Sequence, residues 1–337
     1  MKKKAMFQAL LLSATVSFTT FIISYHWLSR NEVLITRNIS RTDEYTNKSE
    51  ENPTKSQCEA AMKSEYFETP SEYCRSSCAK NLKTKMFFRS SRMIFNDKYK
   101  FIFCPVPKVG VTNWRRILLV LSGNVKITDP LEFSLPSVHG KYYKYLSYLA
   151  TLSEVKREYR LNTYYKFMFV RDPFERIVSA YNDKFVRRNR FAWSGVGKQI
   201  IKTYRQAPDK KSLKTGLGVK FHEFVHYIVD SSVYSFNEHW ALMSMLCLPC
   251  SIKYHFVGHM DSMDSDSREV LEELGVSKLV QYPHRGDDHT YEESKTMLER
   301  YYRQIPREHL IKLKRIYHLD YLMFNLTFPS SLESLLN

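Results

Sequence analysis

Two stretches of the chain combine charged side chains with the local pattern of a strand, a turn and the start of a helix. In the first, an apolar run ends in a Pro/Gly-containing turn that carries Lys108, and an amphipathic helix follows. A helix N-terminus presents free N–H groups and the positive end of its dipole, to which a lysine adds a full charge. In the second, Arg171 follows an apolar run and Ser179 lies on the next predicted helix, so a guanidinium fork and a hydroxyl can hold one phosphate. Both stretches predict binding of phosphate or sulfate groups.

The order of residues in the first stretch argues against an ATPase. A Walker A loop places its glycines before the lysine, as Gly-x4-Gly-Lys-Ser/Thr, whereas here Lys108 precedes Gly110 and Thr112. A lysine in a turn is often only solvated, and an Arg-Asp-Pro helix start is often only structural. Each stretch alone is therefore weak evidence, and the combination of the two is the specific signal.

The predicted elements place both stretches at strand ends. Residues 100–104 and 164–170 are predicted to be short apolar strands, each followed by a helix with one apolar face. A helical connection over residues 152–160 separates the two strand–turn–helix units. This alternation predicts an α/β domain with a central parallel sheet and helices on both sides.

The chain is strongly basic, with 51 Lys and Arg against 35 Asp and Glu and a formal net charge of +16 over 337 residues. Such a balance favours a polyanionic partner: nucleic acid, an acidic membrane surface or an acidic polysaccharide. Several lysines cluster between Lys198 and Lys214, in a region predicted to be an exposed loop. We expect this region to bind an acidic chain, with an affinity that falls steeply with salt.

The N-terminus narrows the choice of partner. Lys2, Lys3 and Lys4 precede residues 5–29, which carry no charge and are long enough to cross a hydrocarbon layer of about 30 Å. A cleaved signal peptide has an apolar core of only ~7–15 residues, so an uncleaved anchor is favoured. Because the basic residues come first, the positive-inside rule places the rest of the chain in a lumen. This setting argues against nucleic acid as a partner.

Sequons and cysteines support the lumenal setting. Asn38, Asn47 and Asn325 each begin an Asn-x-Ser/Thr triplet. An even number of cysteines suits disulfides in an oxidising compartment, although their spacing does not define the pairing. They are Cys58, Cys74, Cys78, Cys104, Cys247 and Cys250. A zinc site built from the pairs at 74/78 and 247/250 is a weak alternative, because the pairs lie far apart.

At these motifs the chain resembles the Golgi carbohydrate sulfotransferases, and among them the branch of the HNK-1 and chondroitin/dermatan 4-O-sulfotransferases. Residues 104–114, CPVPKVGVTNW, are similar to the 5′-phosphosulfate loop of that branch. Residues 169–181, FVRDPFERIVSAY, are similar to its 3′-phosphate motif. The resemblance covers roughly residues 101–329 and implies a P-loop-like sulfotransferase fold.

The resemblance implies a donor, 3′-phosphoadenosine 5′-phosphosulfate, and a sugar hydroxyl as acceptor, with no metal. The favoured acceptor is the 4-O of N-acetylgalactosamine in chondroitin or dermatan; HNK-1-type glucuronic acid and the GalNAc of N-glycans are alternatives. Lys108 would stabilise charge on the bridging oxygen. The residues implied in donor binding are Pro107, Lys108, Val109, Gly110, Val111, Thr112, Asn113, Arg171, Asp172, Pro173, Phe174, Glu175, Arg176, Ile177, Val178 and Ser179.

A base must accept the proton of the sugar hydroxyl, and a histidine suits this role because its pKa is near ambient pH. His139 lies between the two donor motifs, like the histidine proposed for related heparan sulfotransferases, and is the first candidate. His239 and Glu238 come next. Many relatives carry cysteine where this chain has Val111, so we expect Cys104 to be a buried free thiol.

The resulting organisation is a cytoplasmic tail (1–5), a transmembrane signal anchor (6–28), a lumenal stem with a cysteine-containing neck (29–85) and a sulfotransferase domain (86–337). It predicts a single-pass type II protein of the Golgi membrane, of undefined oligomeric state. Two rivals remain. One is a metal-dependent Golgi glycosyltransferase that uses the Asp-x-Asp motif at 264–266, and the other is a non-catalytic glycosaminoglycan-binding membrane protein.

Overall fold

The computed structural model describes residues 55–63, 67–76, 78–79, 92–187, 192–283 and 291–336. The predicted tail and anchor, the sequons at Asn38 and Asn47 and most of the predicted stem lie outside these ranges. Within them, no helix combines the length and the apolar character needed to cross a membrane.

The strands of the described residues form one mixed sheet. They are β1 (Ile94–Asn96), β2 (Phe101–Cys104), β3 (Ser147–Tyr148), β4 (Tyr165–Val170) and β5 (Phe256–His259). Their order across the sheet is β3-β1-β2-β4-β5. β2, β4 and β5 run parallel, as the two strand–turn–helix units predict, whereas β1 pairs antiparallel with β2 and β3. The carboxyl ends of β2, β4 and β5 therefore meet at one edge.

Helices flank this sheet. Those in the described ranges are α1 (Lys55–Met62), α2 (Pro70–Arg75), α3 (Val111–Ser122), α4 (Leu135–His139), α5 (Glu154–Thr163), α6 (Pro173–Tyr181), α7 (Ser194–Tyr204), α8 (Lys210–Thr215), α9 (Phe221–Asp230), α10 (Met243–Cys247), α11 (Met263–Glu273), α12 (Tyr291–Tyr302), α13 (Arg307–Phe324) and α14 (Ser330–Glu333). A π-helical turn, Asn182–Val186, continues α6.

An aromatic cluster fixes α3 against the sheet. Trp114 is fully buried, and its ring centroid lies 5.6, 5.0 and 5.1 Å from those of Phe103, Phe167 and Phe169. The apolar side chains of α3 recur at helical spacing, so one face packs inward. That face also buries Ile117, Leu118 and Leu121. Truncating such a buried indole costs about 3–5 kcal/mol, so this cluster holds the start of α3 at the end of β2.

All six cysteines form disulfides, which join Cys58 to Cys78, Cys74 to Cys250, and Cys104 to Cys247. The expectation that Cys104 is a free thiol is therefore wrong. Its partner comes from α10, which the fold places beside the end of β2 although the two lie 143 residues apart. The zinc alternative also fails, because each of its four sulfurs is in a disulfide.

Part of the segment assigned to the neck packs on the domain. Met62, Phe67 and Tyr73 are buried in the same core cluster as α6, α9 and α13. Glu59 accepts hydrogen bonds from the Ser232 hydroxyl and from the backbone N–H of Val233, at 2.6 and 3.0 Å. These contacts and a disulfide fix α1 and α2 to the domain.

Candidate active site

The turn between β2 and α3 has the backbone conformation of an anion-binding loop. Lys108 and Gly110 both adopt left-handed φ values, 71° and 66°. Successive N–H groups in such a turn form a concave nest that attracts anions. A Cβ added to Gly110 would lie 2.3 Å from the Tyr282 hydroxyl oxygen, so both the conformation and the close neighbour require glycine.

The N-terminus of α3 is open. Gly110 is its N-cap residue, and no side chain among the described residues caps its first turn. The free N–H groups and the positive helix end therefore lie next to Lys108, at the carboxyl edge of the sheet. This geometry can bind a phosphate or sulfate group.

Lys108 shares a carboxylate with a second lysine. The Nζ atoms of Lys108 and Lys184 each lie 3.1 Å from Oδ2 of Asp183. Burial lowers the pKa of Lys108, and Asp183 opposes that effect. Two ammonium groups thus converge on one oxygen beside the anion loop, where they can neutralise charge on a transferring group.

The π-helical turn explains why sequence reasoning missed Asp183 and Lys184. The wider turn after α6 changes the direction in which the next side chains point, and such turns often occur at functional sites. Lys184 is buried, with its Nζ 5.2 Å from the ring centroid of Trp193. A cation above an indole face is stabilised there. No pattern in the sequence marks this turn.

The second unit contacts the first through Arg171. Its Nη1 donates to the backbone oxygen of Lys108 at 3.4 Å, and its Nε donates to Glu175 at 3.0 Å. Ser179 lies half-buried on α6. The structure therefore brings Arg171 to the loop that carries Lys108, at adjacent ends of β2 and β4.

Asp172 closes the N-terminus of α6. Its carboxylate accepts the N–H of Glu175 at 2.9 Å and the hydroxyl of Tyr321 at 2.6 Å. Burial is the largest influence and raises the pKa of Asp172 to about 7, although both hydrogen bonds oppose the shift. Pro173 follows at the first helical position, where a missing N–H costs nothing.

Arg176 supports the site from behind. Its guanidinium is fully buried and donates to three backbone oxygens, those of Pro107 (3.0 Å), Ala241 (2.6 Å) and Glu238 (2.7 Å). It therefore connects the turn between β2 and α3 to the segment that carries His239. Phe174, Ile177 and Val178, the apolar residues of the same motif, are buried as well.

The remaining residues of the first loop have local partners. The Asn113 side chain donates to the backbone oxygen of Pro283 at 3.3 Å and accepts from Nη1 of Arg116 at 2.9 Å. Val109 is buried, while Val111 and Thr112 are half-buried at the helix start.

His139 lies at the end of α4 and contacts α3. Its Nε2 lies 3.1 Å from the Thr112 hydroxyl oxygen, and its Nδ1 lies 2.8 Å from Nη1 of Arg115. Because arginine only donates, Nδ1 accepts and Nε2 carries the proton. Burial and the positive charge of Arg115 lower the pKa of His139, which favours the neutral imidazole.

His239 flanks the lysine pair on another side. Its Nδ1 lies 2.6 Å from Oδ1 of Asn237, which also accepts its backbone N–H at 3.1 Å. Nδ1 is therefore the protonated nitrogen. Burial, followed by Lys184 and Lys108, lowers the pKa of His239 to about 3. Lys184 thus lowers the pKa of both histidines, whereas Lys108 lowers that of His239.

Other residues singled out in the sequence lie elsewhere. Asp266, in the first turn of α11, accepts the N–H of His259 at 2.7 Å and the hydroxyl of Ser262 at 2.6 Å. Nowhere in the described part of the chain do three or more His, Cys, Asp or Glu side chains form a group suited to a metal. Asn325 is exposed at the C-cap of α13, and its glycosylation stays a prediction.

Comparison with known proteins identifies the family. The model of the sulfotransferase family matches residues 91–327. Human carbohydrate sulfotransferase 9 is 40% identical over 248 residues, which cover 72% of this chain and 55% of that protein. Mouse carbohydrate sulfotransferase 11 is 36% identical over 270 residues, 77% of this chain and 74% of that protein. Zebrafish (Danio rerio) carbohydrate sulfotransferase 14 is 34% identical over 244 residues, 71% of this chain and 63% of that protein.

No solved structure matches the chain. The family model covers most of the chain, including both strand–turn–helix units, and these relatives are 34–40% identical to it over the aligned residues. The chain therefore belongs to the sulfotransferase family, and within it to the carbohydrate sulfotransferases.

Proposed function

We propose that the enzyme transfers the sulfuryl group of 3′-phosphoadenosine 5′-phosphosulfate to the 4-O of N-acetylgalactosamine in chondroitin or dermatan. The observation that carries this proposal is the convergence of Lys108, the open N-terminus of α3 and Arg171 at one edge of the sheet. The donor has an anionic group at each end of its nucleoside, and the two units offer one anion grip each. The residues present therefore fit it.

In this proposal the side chains and N–H groups of the site hold the substrates in place and supply positive charge. The donor provides the activated sulfuryl group. The turn from Pro107 to Asn113 holds the phosphosulfate end, and Arg171 with Ser179 holds the 3′-phosphate. Lys108 leaves Asp183 to stabilise charge on the bridging oxygen, while Lys184 remains beside the transferring group. Because sulfuryl transfer resembles phosphoryl transfer, positioning and electrostatic stabilisation account for most of the rate.

We assign the general base to His139, with His239 as its competitor. Nδ1 of His139 accepts from Arg115, so it can take the proton of the sugar hydroxyl only after Arg115 withdraws. His239 has Nδ1 engaged by Asn237, and the described residues give its Nε2 no hydrogen-bond partner. His139→Gln should lower the rate constant for transfer by about 100-fold or more, and His239→Gln should lower it less. The reverse ranking would transfer the role to His239.

The acceptor assignment rests on the sequence resemblance and on the basic surface. Residues 198–214 belong mostly to helices and not to the predicted loop: they span the end of α7, its connection to α8 and most of α8, and all of their lysines are exposed. An acidic polysaccharide fits such a surface. A lumenal domain anchored by residues 6–28 in the Golgi membrane would meet these chains, and the three disulfides agree with an oxidising compartment.

An acceptor panel tests the proposal. The solubilised full chain is incubated with radiolabelled donor and desulfated chondroitin, desulfated dermatan, a GalNAc-terminated N-glycan or a glucuronate-terminated glycan. Disaccharide analysis then locates the new sulfate. The proposal predicts 4-O-sulfated GalNAc in chondroitin or dermatan. Transfer confined to either of the last two acceptors would refute the assigned acceptor, while the sulfotransferase activity would stand.

A further inference from the structure

Arg115 lies beside the proposed transfer site but belongs to neither donor grip. It projects from α3 so that its Nη1 contacts His139. Its guanidinium carbon lies 5.7 Å from the ring centroid of Tyr143, and that ring is stacked on Tyr148 with centroids 4.9 Å apart. Arg115 therefore lies between the candidate base and an aromatic wall whose outer ring, Tyr143, is 44% exposed.

Two other arginines of this chain show how a carboxylate uses the Nε–Nη2 edge of a guanidinium. Arg160 donates Nε and Nη2 to the two oxygens of Asp97, at 2.8 Å each. Arg205 does the same with Glu223, at 2.7 and 2.9 Å. Two parallel hydrogen bonds to a planar carboxylate are the strongest arrangement available to arginine.

The same edge of Arg115 lacks such a partner within the described chain. Its Nε is shielded from water and makes no hydrogen bond there. A shielded N–H without an acceptor costs free energy, and such groups in a native structure require an explanation. The proposed base role of His139 requires Arg115 to release Nδ1, and this movement of the guanidinium would expose the edge formed by Nε and Nη2 to an acceptor from outside the protein.

The surroundings favour a negatively charged sugar. Arg92 lies close enough to Arg115 and Tyr143 to interact electrostatically with both, and its own charge is paired with Glu238. Lys184 and Arg116 also lower the pKa of His139, while Asp183 raises it. The excess positive charge therefore lies around Arg115, beside an aromatic face on which a sugar ring can stack.

We infer that Arg115 binds the carboxylate of a uronate residue next to the acceptor sugar, with Tyr143 packed against the sugar ring. The inference rests on the proposed function of this site and narrows its substrate class to uronate-containing glycans. It excludes neutral N-glycan chains as good acceptors. A sulfate ester on the chain could offer similar chemistry, but the flat two-donor edge matches a carboxylate best.

The test compares chondroitin before and after chemical reduction of its uronates to neutral sugars, with both forms desulfated. The solubilised full chain should lose about 10- to 100-fold in kcat/KM on the reduced acceptor, as expected for a charged hydrogen-bonded pair. Arg115→Gln should lose a similar factor on intact chondroitin and discriminate little between the two forms, with its KM for donor unchanged. Arg115→Lys should lie between these values. Arg303→Gln is the matched control, because that arginine is exposed and pairs with Glu299; it should behave like the wild type.

Four outcomes would overturn the inference. Equal kcat/KM for the two acceptors would show that the enzyme does not recognise the uronate carboxylate, while the proposed function would stand. Equal losses on both acceptors in Arg115→Gln, or a raised donor KM, would make Arg115 a structural or donor residue; thermal unfolding of this variant identifies a folding defect, and Arg115→Lys then decides. Full recovery of rate when the reduced chain carries a 6-O-sulfate would assign the edge to a sulfate. Transfer to neither form of chondroitin would instead refute the proposed acceptor, and the inference with it.

Discussion

The two strand–turn–helix units look alike in sequence, but only the helix of the second unit has a side-chain N-cap. α3 begins at Gly110 without a side-chain cap, whereas α6 begins at Asp172, whose carboxylate accepts from the first turn. An anion can therefore reach the N–H groups of Val111 and Thr112 at the start of α3, whereas the first turn of α6 already donates to Asp172. The first unit is suited to bind its anion through the main chain and Lys108. The second must act through the side chains of Arg171 and Ser179.

The largest effect in this comparison is expected at Lys108. Lys108→Ala removes the charge nearest the open helix start and should lower the rate constant for transfer by about 1,000-fold, on the scale of losing a main electrostatic group. Binding of chondroitin should be nearly unchanged, because the basic surface of α7 and α8 remains. Single-turnover transfer and polysaccharide binding are measured on the same preparation. Transfer at the wild-type rate would show that Lys108 does not have the role assigned to it.

A smaller, pH-dependent effect is expected at Asp183. This carboxylate raises the pKa of Lys108 against the effects of burial and of Lys184. In Asp183→Asn the pKa of Lys108 should fall, so the ammonium form is lost at lower pH. The alkaline limb of kcat/KM, which reports the free enzyme, should then move toward lower pH. An alkaline limb at the wild-type position would mean that Lys108 does not set it.

The smallest effect concerns the closed start of α6. The pKa of Asp172 is raised in the folded protein to about 7 from a usual value of 3.8. Its protonated form therefore contributes stability that is complete below about pH 4 and is lost as the pH rises toward 7. Asp172→Asn keeps an oxygen for the cap and removes this titration. Its free energy of unfolding, relative to the wild type, should rise between pH 4 and 7; a constant difference would show that Asp172 is ionised throughout.

The sequence predicted those parts of the site that depend on local pattern. Lys108 and Arg171 lie at the ends of parallel strands because an apolar run, a turn and an amphipathic helix specify that geometry within about 20 residues. Asp183 and Lys184 escaped prediction because a π-helical turn, which has no sequence signature, directs them inward. The Cys104–Cys247 disulfide and the pairing of β1 with β3 depend on contacts between distant segments, which local patterns do not contain.

The central claim is that each unit binds one end of the donor. Calorimetric titration of three proteins with two ligands tests it: wild type, Lys108→Ala and Arg171→Ala against 3′-phosphoadenosine 5′-phosphate and adenosine 5′-phosphosulfate, the second of which lacks the 3′-phosphate. Arg171→Ala should weaken the 3′-phosphorylated ligand by about 10-fold or more, as expected for a charged hydrogen-bonded pair, and leave the phosphosulfate ligand little changed. Lys108→Ala should weaken both ligands, because each carries a 5′-phosphate that the loop holds, and should weaken the phosphosulfate ligand more. Equal losses for both ligands in both variants would contradict the assignment of one end to each unit.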